Sequence, residues 1–181
     1  MASVVFLRGI NVGGHRPLRP AALAKDLSAF DVVNVGAAGT FVFRKKASQA
    51  AVRSALLRRI PFEVEFMICP GKDLADLVSA DPFAREASRE GARRFLSVLG
   101  KRPRRPPPLP LLQPAGRAWQ VKVVALRGRF AVSLWRRVGK RLIYPNEVVE
   151  KELAVPATTR GWETLLKIRD RLDESKGMDP R

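Results

Sequence analysis

Cysteine and histidine are almost missing from this chain of 181 residues, with Cys69 and His15 as the single copies of each. A lone cysteine cannot close an internal disulfide, and its place at the end of an apolar run is typical of a small buried hydrophobe. One histidine and one cysteine together exclude the usual zinc sites and any triad that needs a second imidazole. We therefore expect a protein of a reducing cytoplasm, with no metal, no cofactor and no catalytic residue that the sequence reveals.

Long apolar runs are also missing. No stretch approaches the roughly 18 residues that a membrane-spanning helix needs, and the first apolar run, Val4–Leu7, is closed by Arg8, unlike a secretory signal. Hydrophobic residues nevertheless make up 46 % of the chain, which favours a packed core over disorder. We expect a soluble protein that engages no membrane and folds as one domain or as two compact halves.

Carboxylates are absent from one long stretch. Between Glu90 and Glu147 lie 56 residues without Asp or Glu, and they carry fourteen Lys and Arg. Residues 1–90 have a net charge of +4 and residues 91–181 one of +13, out of +17 in all. A biased genome explains why arginine outnumbers lysine but not why acids are missing, since folded surfaces usually intersperse both signs. The pattern favours a polyanionic partner.

Hydrophobic periodicity in the first half predicts the order β-α-β-β-α-β, followed by a short helix over 73–79. The strands are expected at 4–8, 32–35, 40–44 and 62–68. Leu23, Leu27 and Phe30 recur at helical spacing in the first helix, and Ser48 is placed to cap the second. This order is that of a split β-α-β, ferredoxin-like unit.

The second half predicts a further α+β unit with a strand over 93–99 and a hairpin that turns at 127–129. Helices are expected over 147–153 and 162–172, the latter with Thr159 as its cap. Residues 101–114 form a Pro/Arg-rich linker, because proline cannot donate to a strand ladder. Its prolines also have the spacing of a polyproline ligand, but a stiff basic linker is favoured. We therefore expect an N-terminal subdomain over 1–88 and a basic C-terminal one over 89–181.

Three segments occur together in a familiar order. They are Phe6–Gly14 (FLRGINVGG), Ala38–Phe43 (AGTFVF) and Ala157–Thr164 (ATTRGWET). The chain resembles the bacterial family called domain of unknown function 1697 over nearly its whole length. The resemblance implies an α+β fold of two ferredoxin-like subdomains with mainly antiparallel sheets, and no established activity.

The chain departs from this family pattern at two places. Many members have Ser-Gly-Asn and Arg-Asn-Trp where this chain has Ala38-Gly39-Thr40 and Arg160-Gly161-Trp162. A family function that needs those asparagines is in doubt here. One that needs Arg8, Asn11 and Arg160 would survive.

The glycine-rich loop after the first strand has the glycine spacing of a P-loop, but His15-Arg16 stands where Lys-Ser/Thr is needed. A tight turn held by Arg8 and Asn11 is the favoured interpretation. The alternative is a small anion site built from loop amides and nearby cations. Its candidate residues are Arg8, Asn11, Gly13, Gly14, His15, Arg16 and Arg160.

An RNA-recognition motif shares the predicted order of the first unit and stacks bases on aromatic residues of its central strands. Phe6, Phe41 and Phe43 occupy comparable positions, but core packing is favoured for them. The second hairpin is the better candidate, because cations crowd its turn and its exit and an exposed indole such as Trp135 would add a stacking surface. The predicted interface consists of Arg102, Arg104, Arg105, Lys122, Arg127, Arg129, Trp135, Arg136, Arg137, Lys140 and Arg141.

The leading hypothesis is therefore a non-enzymatic protein that binds nucleic acid or another polyanion, largely without sequence preference. One alternative is an enzyme or small-ligand protein that acts on an anionic metabolite at the loop from Arg8 to Arg16. Another is a protein-interaction module that uses the proline run or the sheet edges. The interpretation that competes with all three is structural, with tryptophans in the core and arginines that only solubilise.

Overall fold

The computed structural model describes residues 2–10, 18–86 and 91–176. Over these residues it confirms a mixed α+β fold with two mainly antiparallel sheets and five α-helices. The chain forms two compact units, one of Met1–Ala80 with Thr164–Arg181 and the other of Asp81–Glu163. The predicted division after residue 88 stays a prediction, and the C-terminal helix groups with the first unit. Over the described ranges, no helix has the length and apolarity that crossing a membrane requires.

The first unit is a four-stranded sheet with helices between its strands. Its elements are β1 Ser3–Leu7, α1 Pro20–Asp26, β2 Val32–Asn34, β3 Thr40–Phe43, α2 Gln49–Leu57, β4 Phe66–Pro70 and α3 Gly71–Ser79. The strand order is β2-β3-β1-β4, and each neighbouring pair is antiparallel. Ser48 caps α2 as predicted, its hydroxyl oxygen accepting from the Ala51 amide at 3.1 Å. The fourth strand starts at Phe66, later than predicted, because Pro61 and Phe62 lie in a bend.

Aromatic residues of the first unit are in its core. Phe41 and Phe43 point with Val5 and Leu7 toward α1 and α2, and Phe43 meets Phe30 edge to face at 5.9 Å. Phe6 points to the other side of the sheet, since it alternates with Val5 and Leu7. All three phenylalanines have no exposed surface. This confirms core packing and contradicts a base-stacking surface on the first sheet.

The second unit is a five-stranded sheet with one helix packed on it. Its elements are β5 Arg93–Leu99, β6 Leu111–Gln113, β7 Val121–Arg127, β8 Phe130–Trp135, α4 Pro145–Leu153 and β9 Ala157–Gly161, and α5 Trp162–Lys176 follows directly. The strand order is β6-β7-β8-β5-β9, again antiparallel throughout. Apolar residues of α4, among them Val148 and Val149, pack on Leu99, Val121 and Ala131.

Two short strands of the second unit were not predicted. Leu111–Gln113 lies inside the expected linker but pairs with β7, because its apolar residues follow the last proline of the run and meet the free edge of that strand. Thr159 does not cap a helix; it lies in β9, opposite Ser97 of β5. The Thr159 hydroxyl lies 2.6 Å from the Ser97 hydroxyl and donates to Asn146 Oδ1 of α4 at 2.9 Å.

Candidate nucleic-acid interface

The cations of the acid-free stretch lie mostly at the surface of the second unit. Eleven of the fourteen are exposed, whereas Lys122, Arg129 and Arg136 are half-buried. The exposed ones are Arg93, Arg94, Lys101, Arg102, Arg104, Arg105, Arg117, Arg127, Arg137, Lys140 and Arg141. Exposed guanidinium and ammonium groups attract phosphate chains.

Strand geometry divides the predicted interface between two ends of the sheet. Arg93 is opposite Trp135 at one end, whereas Val98 is opposite Phe130 at the other. The five residue steps from Arg93 to Val98 along β5 separate these ends by about 17 Å. We call them the exit end, where β8 ends, and the turn end, where β7 turns into β8. The exit end carries Arg93, Trp135, Arg136, Arg137, Lys140, Arg141 and Tyr144; the turn end carries Arg102, Arg127 and Arg129.

Arg102 is distant from the turn in the sequence but lies close to it in space. Its guanidinium nitrogens lie 3.8 Å from the place that a Cβ on Gly128 would occupy. Gly128 has a φ of +60°, the left-handed conformation that glycine adopts without strain in a two-residue hairpin turn. The turn thus holds Arg127 and Arg129 beside Arg102.

Arg136 serves the structure of the exit end. Its Nε donates to the Trp119 carbonyl at 2.8 Å, and its Nη2 donates to the Arg117 carbonyl. Its guanidinium also lies over the Trp119 ring at 4.2 Å. The side chain is half-buried and two of its donors are occupied, so the prediction that Arg136 is an available phosphate contact is not supported by its geometry.

Lys122 is paired with an acid from outside the acid-free stretch. Its Nζ lies 2.5 Å from Glu86 Oε2, and each side chain is 22 % exposed. The pair is partly shielded from water, which strengthens the attraction relative to a surface pair. Lys122 therefore contributes little positive field to the interface that the sequence predicted.

Trp135 is half-buried, which corrects the expectation of an exposed indole. Its Nε1 donates to the Ile143 carbonyl at 2.7 Å, and the Arg93 guanidinium lies 6.0 Å from its ring centroid. Tyr144 stacks on it with centroids 6.0 Å apart and ring planes 5° apart. Tyr144 is 48 % exposed, so it is the ring available at this end. Sequence reasoning missed it, although this single tyrosine comes three residues after the end of the basic run 136–141.

Gln120 holds the chain that carries Arg141 and Tyr144. Its buried carboxamide donates through Nε2 to the Arg141 carbonyl at 2.9 Å and accepts through Oε1 from the Ile143 amide at 3.1 Å. Together with the Trp135 indole, these bonds fix residues 141–143 against the sheet. The exit end is consequently a built surface rather than a free loop.

A cavity of about 510 Å³ opens on the sheet face opposite α4. Leu112, Lys122 and Leu134 lie side by side there on three neighbouring strands. Its full lining is Arg85, Glu86, Pro110, Leu112, Gly116, Arg117, Trp119, Lys122 and Leu134. It combines apolar walls with three cations and one carboxylate, and sequence patterns gave no signal for Arg85 and Glu86 as its partners.

The residues proposed for a small anion site are only partly described. Asn11, Gly13, Gly14, His15 and Arg16 lie outside the described residues. The Arg8 guanidinium donates to the Glu65 carboxylate. Among the residues that the structure describes, no group of three His, Cys, Asp or Glu side chains is placed to hold a metal ion.

Arg160 is buried in the second unit. Its Nη1 donates to the Thr158 hydroxyl at 2.8 Å and to the Thr159 carbonyl at 3.0 Å. Burial lowers the pKa of its guanidinium to about 10, so the group remains charged at neutral pH. Hydrogen bonds to its own strand and low exposure favour a structural role for Arg160 over contact with a ligand.

Comparison with known proteins adds the family and the fold. A family model described as "Protein of unknown function (DUF1697)" matches residues 1–124. No curated protein matches the chain. The chain is also similar to the solved structure of the conserved bacterial protein SP0830 from Streptococcus pneumoniae, at 18 % identity and a TM-score of 0.55, over 94 % of this chain and 98 % of that one. At that identity the likeness concerns the fold alone.

Proposed function

Since the chain belongs to the DUF1697 family, whose description assigns no activity, we propose from its own residues that it is a non-enzymatic protein that binds nucleic acid or another polyanion. The single observation that carries this proposal is the surface of the second unit, where eleven cations of an acid-free stretch are exposed. Contacts to phosphates position a protein on nucleic acid without reading its sequence. Binding is therefore proposed to be largely independent of sequence.

The two basic ends are spaced to engage one strand together. About 17 Å between them corresponds to roughly five phosphates of one strand, since each strand of a duplex has one phosphate per roughly 3.4 Å of helix axis. Arg102 and Arg127 would bind at the turn end, and Arg137, Lys140 and Arg141 at the exit end. Arg104 and Arg105, exposed in the proline run, add to the same field.

Binding is expected to weaken steeply with salt. If about six phosphates are neutralised, affinity for a labelled 20-mer should fall by about three orders of magnitude between 50 and 200 mM salt, because each contact releases bound counterions. Fluorescence anisotropy across a salt series measures this slope, and two oligonucleotides of unrelated sequence should give similar dissociation constants. Weak retention on nucleic acid or heparin that barely responds to salt contradicts the proposal.

We also propose that both units follow one split β-α-β plan. The order β2-β3-β1-β4 of the first unit is repeated as β7-β8-β5-β9 in the second, with β6 added at the edge. Residues 100–120, all described, contain no helix between β5 and β7. On this plan the proline run takes the place of the first helix, and the cations of the run remain at the surface.

A second candidate function, binding of a small anionic ligand, is favoured by the cavity at Lys122. The glycine-rich loop that suggested this class of ligand stays a prediction, because most of it lies outside the described residues. The cavity supports binding of the same class of ligand on the sheet of the second unit. Arg85 and Arg117 are its exposed cations, and Leu112 and Leu134 form its apolar wall. Such a mixture suits a compact ligand with one phosphate or carboxylate.

This second candidate predicts a thermal shift. Adenosine monophosphate at 100 times its dissociation constant would stabilise the protein by about 2.7 kcal/mol and raise Tm by roughly 5–10 °C. Replacing Arg85 and Arg117 with serine should abolish the shift, whereas replacing Arg104 and Arg105, which removes equal charge elsewhere, should keep it. No shift at millimolar concentrations of this probe or of inorganic phosphate contradicts the candidate.

A further inference from the structure

Tyr144 presents an aromatic ring that the fold holds at the surface. It precedes α4 with an extended backbone, φ −103° and ψ 148°, and Pro145 follows at the first helical position. Trp135 lies nearly parallel against it and is itself tied to the Ile143 carbonyl. The ring therefore rests on a fixed support, and half of its surface remains open. Little freedom is left to lose when a second ring stacks on it.

The chain segment that leads to this ring carries several exposed cations. Arg137, Lys140 and Arg141 are exposed in the seven residues before Tyr144, and the Gln120 carboxamide fixes the backbone at Arg141. Arg93 reaches the same place from β5, over the supporting Trp135 ring. A positive surface beside an aromatic ring is the combination by which proteins hold single-stranded nucleic acid.

Resting on the proposed polyanion binding, we propose that the exit end binds single-stranded nucleic acid in preference to duplex, with an unpaired base stacked on Tyr144. Phosphates on either side of that base meet Arg137, Lys140 and Arg141. The stack uses the face of the base and not its edge. All four bases are therefore accepted, which agrees with binding that is independent of sequence.

Duplex is disfavoured at this surface for a physical reason. Each base of a duplex is covered on both faces by its neighbours, and unstacking a step costs a few kcal/mol. A single strand presents its bases without that cost, and each base stacked on an aromatic residue contributes about 1–3 kcal/mol. Electrostatics alone acts the other way, because duplex has the higher charge density and the steeper salt slope. A preference for single strands would therefore show that stacking on the Tyr144 ring contributes to binding.

The test compares a labelled 20-mer single strand with a duplex of the same sequence at 200 mM salt. The wild-type protein is expected to bind the single strand more tightly. Tyr144→Leu should weaken single-strand binding about 5- to 150-fold, which is the stated stacking energy converted at 1.36 kcal/mol per factor of ten. It should change duplex binding less than about two-fold and leave the salt slope unchanged. Tyr144→Phe keeps the ring and should match the wild type.

The outcomes separate this inference from the function on which it rests. Wild-type protein that binds duplex as tightly as single strand overturns the inference, whatever the variants do. Salt-dependent binding that Tyr144→Leu leaves unchanged also overturns it, while polyanion binding stands. If neither nucleic acid binds, the proposed function itself fails. Near-ultraviolet circular dichroism shows whether Tyr144→Leu retains the fold, and the comparison of strands in the wild type needs no variant.

Discussion

Replacing Arg137, Lys140 and Arg141 together with serine is expected to weaken nucleic-acid binding by about 10- to 100-fold, since each exposed ion pair contributes up to about 1 kcal/mol. The slope of affinity against salt, on logarithmic axes, should also become shallower by about two to three. All three side chains are exposed, so their removal should leave stability nearly unchanged. Anisotropy titrations at several salt concentrations measure both effects.

The matched control removes the same charge from the first unit. Lys25, Lys45 and Lys46 are exposed there, and their replacement with serine should change affinity less than about two-fold at the same salt. Equal weakening by both triple variants would show that net charge, and not the exit end, determines binding. Arg136 is left unchanged in this design because it holds the Trp119 and Arg117 carbonyls, and its loss would confound affinity with folding.

Phe43→Ala is expected to reduce the free energy of unfolding by about 3–5 kcal/mol, because it opens a cavity between β3 and the helices of the first unit. The corresponding fall in Tm is roughly 6–20 °C. Phe43 has no exposed surface and packs edge to face on Phe30. Urea denaturation followed by circular dichroism measures the loss.

A control variant and binding measurements together test whether Phe43 has a base-stacking role. Leu57 is 53 % exposed at the end of α2, so Leu57→Ala should cost less than about 0.5 kcal/mol. The folded fraction of Phe43→Ala should bind nucleic acid as the wild type does. Lost affinity in a variant of unchanged stability would contradict the core assignment and restore the comparison with an RNA-recognition motif.

The first unit could be predicted from sequence because its signals are local. Phe41 and Phe43 alternate with the β-branched residues Thr40 and Val42, a composition typical of a strand. Ser48 stands where a helix needs an acceptor for its free amides. The short strands β6 and β9 could not be predicted in this way. Their residues become strands only because β7 and β5 present free edges to them, and such pairings join residues that are distant in the chain.

The candidate interface was predictable in charge but not in arrangement. Missing carboxylates are visible in the sequence, whereas the pairing of Lys122 with Glu86 depends on folding 36 residues of chain back. The exchange of roles between Trp135 and Tyr144 has a similar cause. Both are aromatic, and only the direction of each side chain from the finished sheet decides which one is covered.

The Thr159 hydroxyl, placed between Ser97 and Asn146, makes a sliding error of β9 costly. Side chains alternate across a strand, so a shift by one residue would turn Thr158 and Arg160 toward α4 and Thr159 away from it. A guanidinium would then enter the apolar layer of Val148 and Val149, and the Asn146 carbonyl oxygen would lose its donor. The free-energy cost of the misaligned state therefore favours the correct pairing of β9 with β5. Because β9 then ends at Gly161, α5 begins at Trp162.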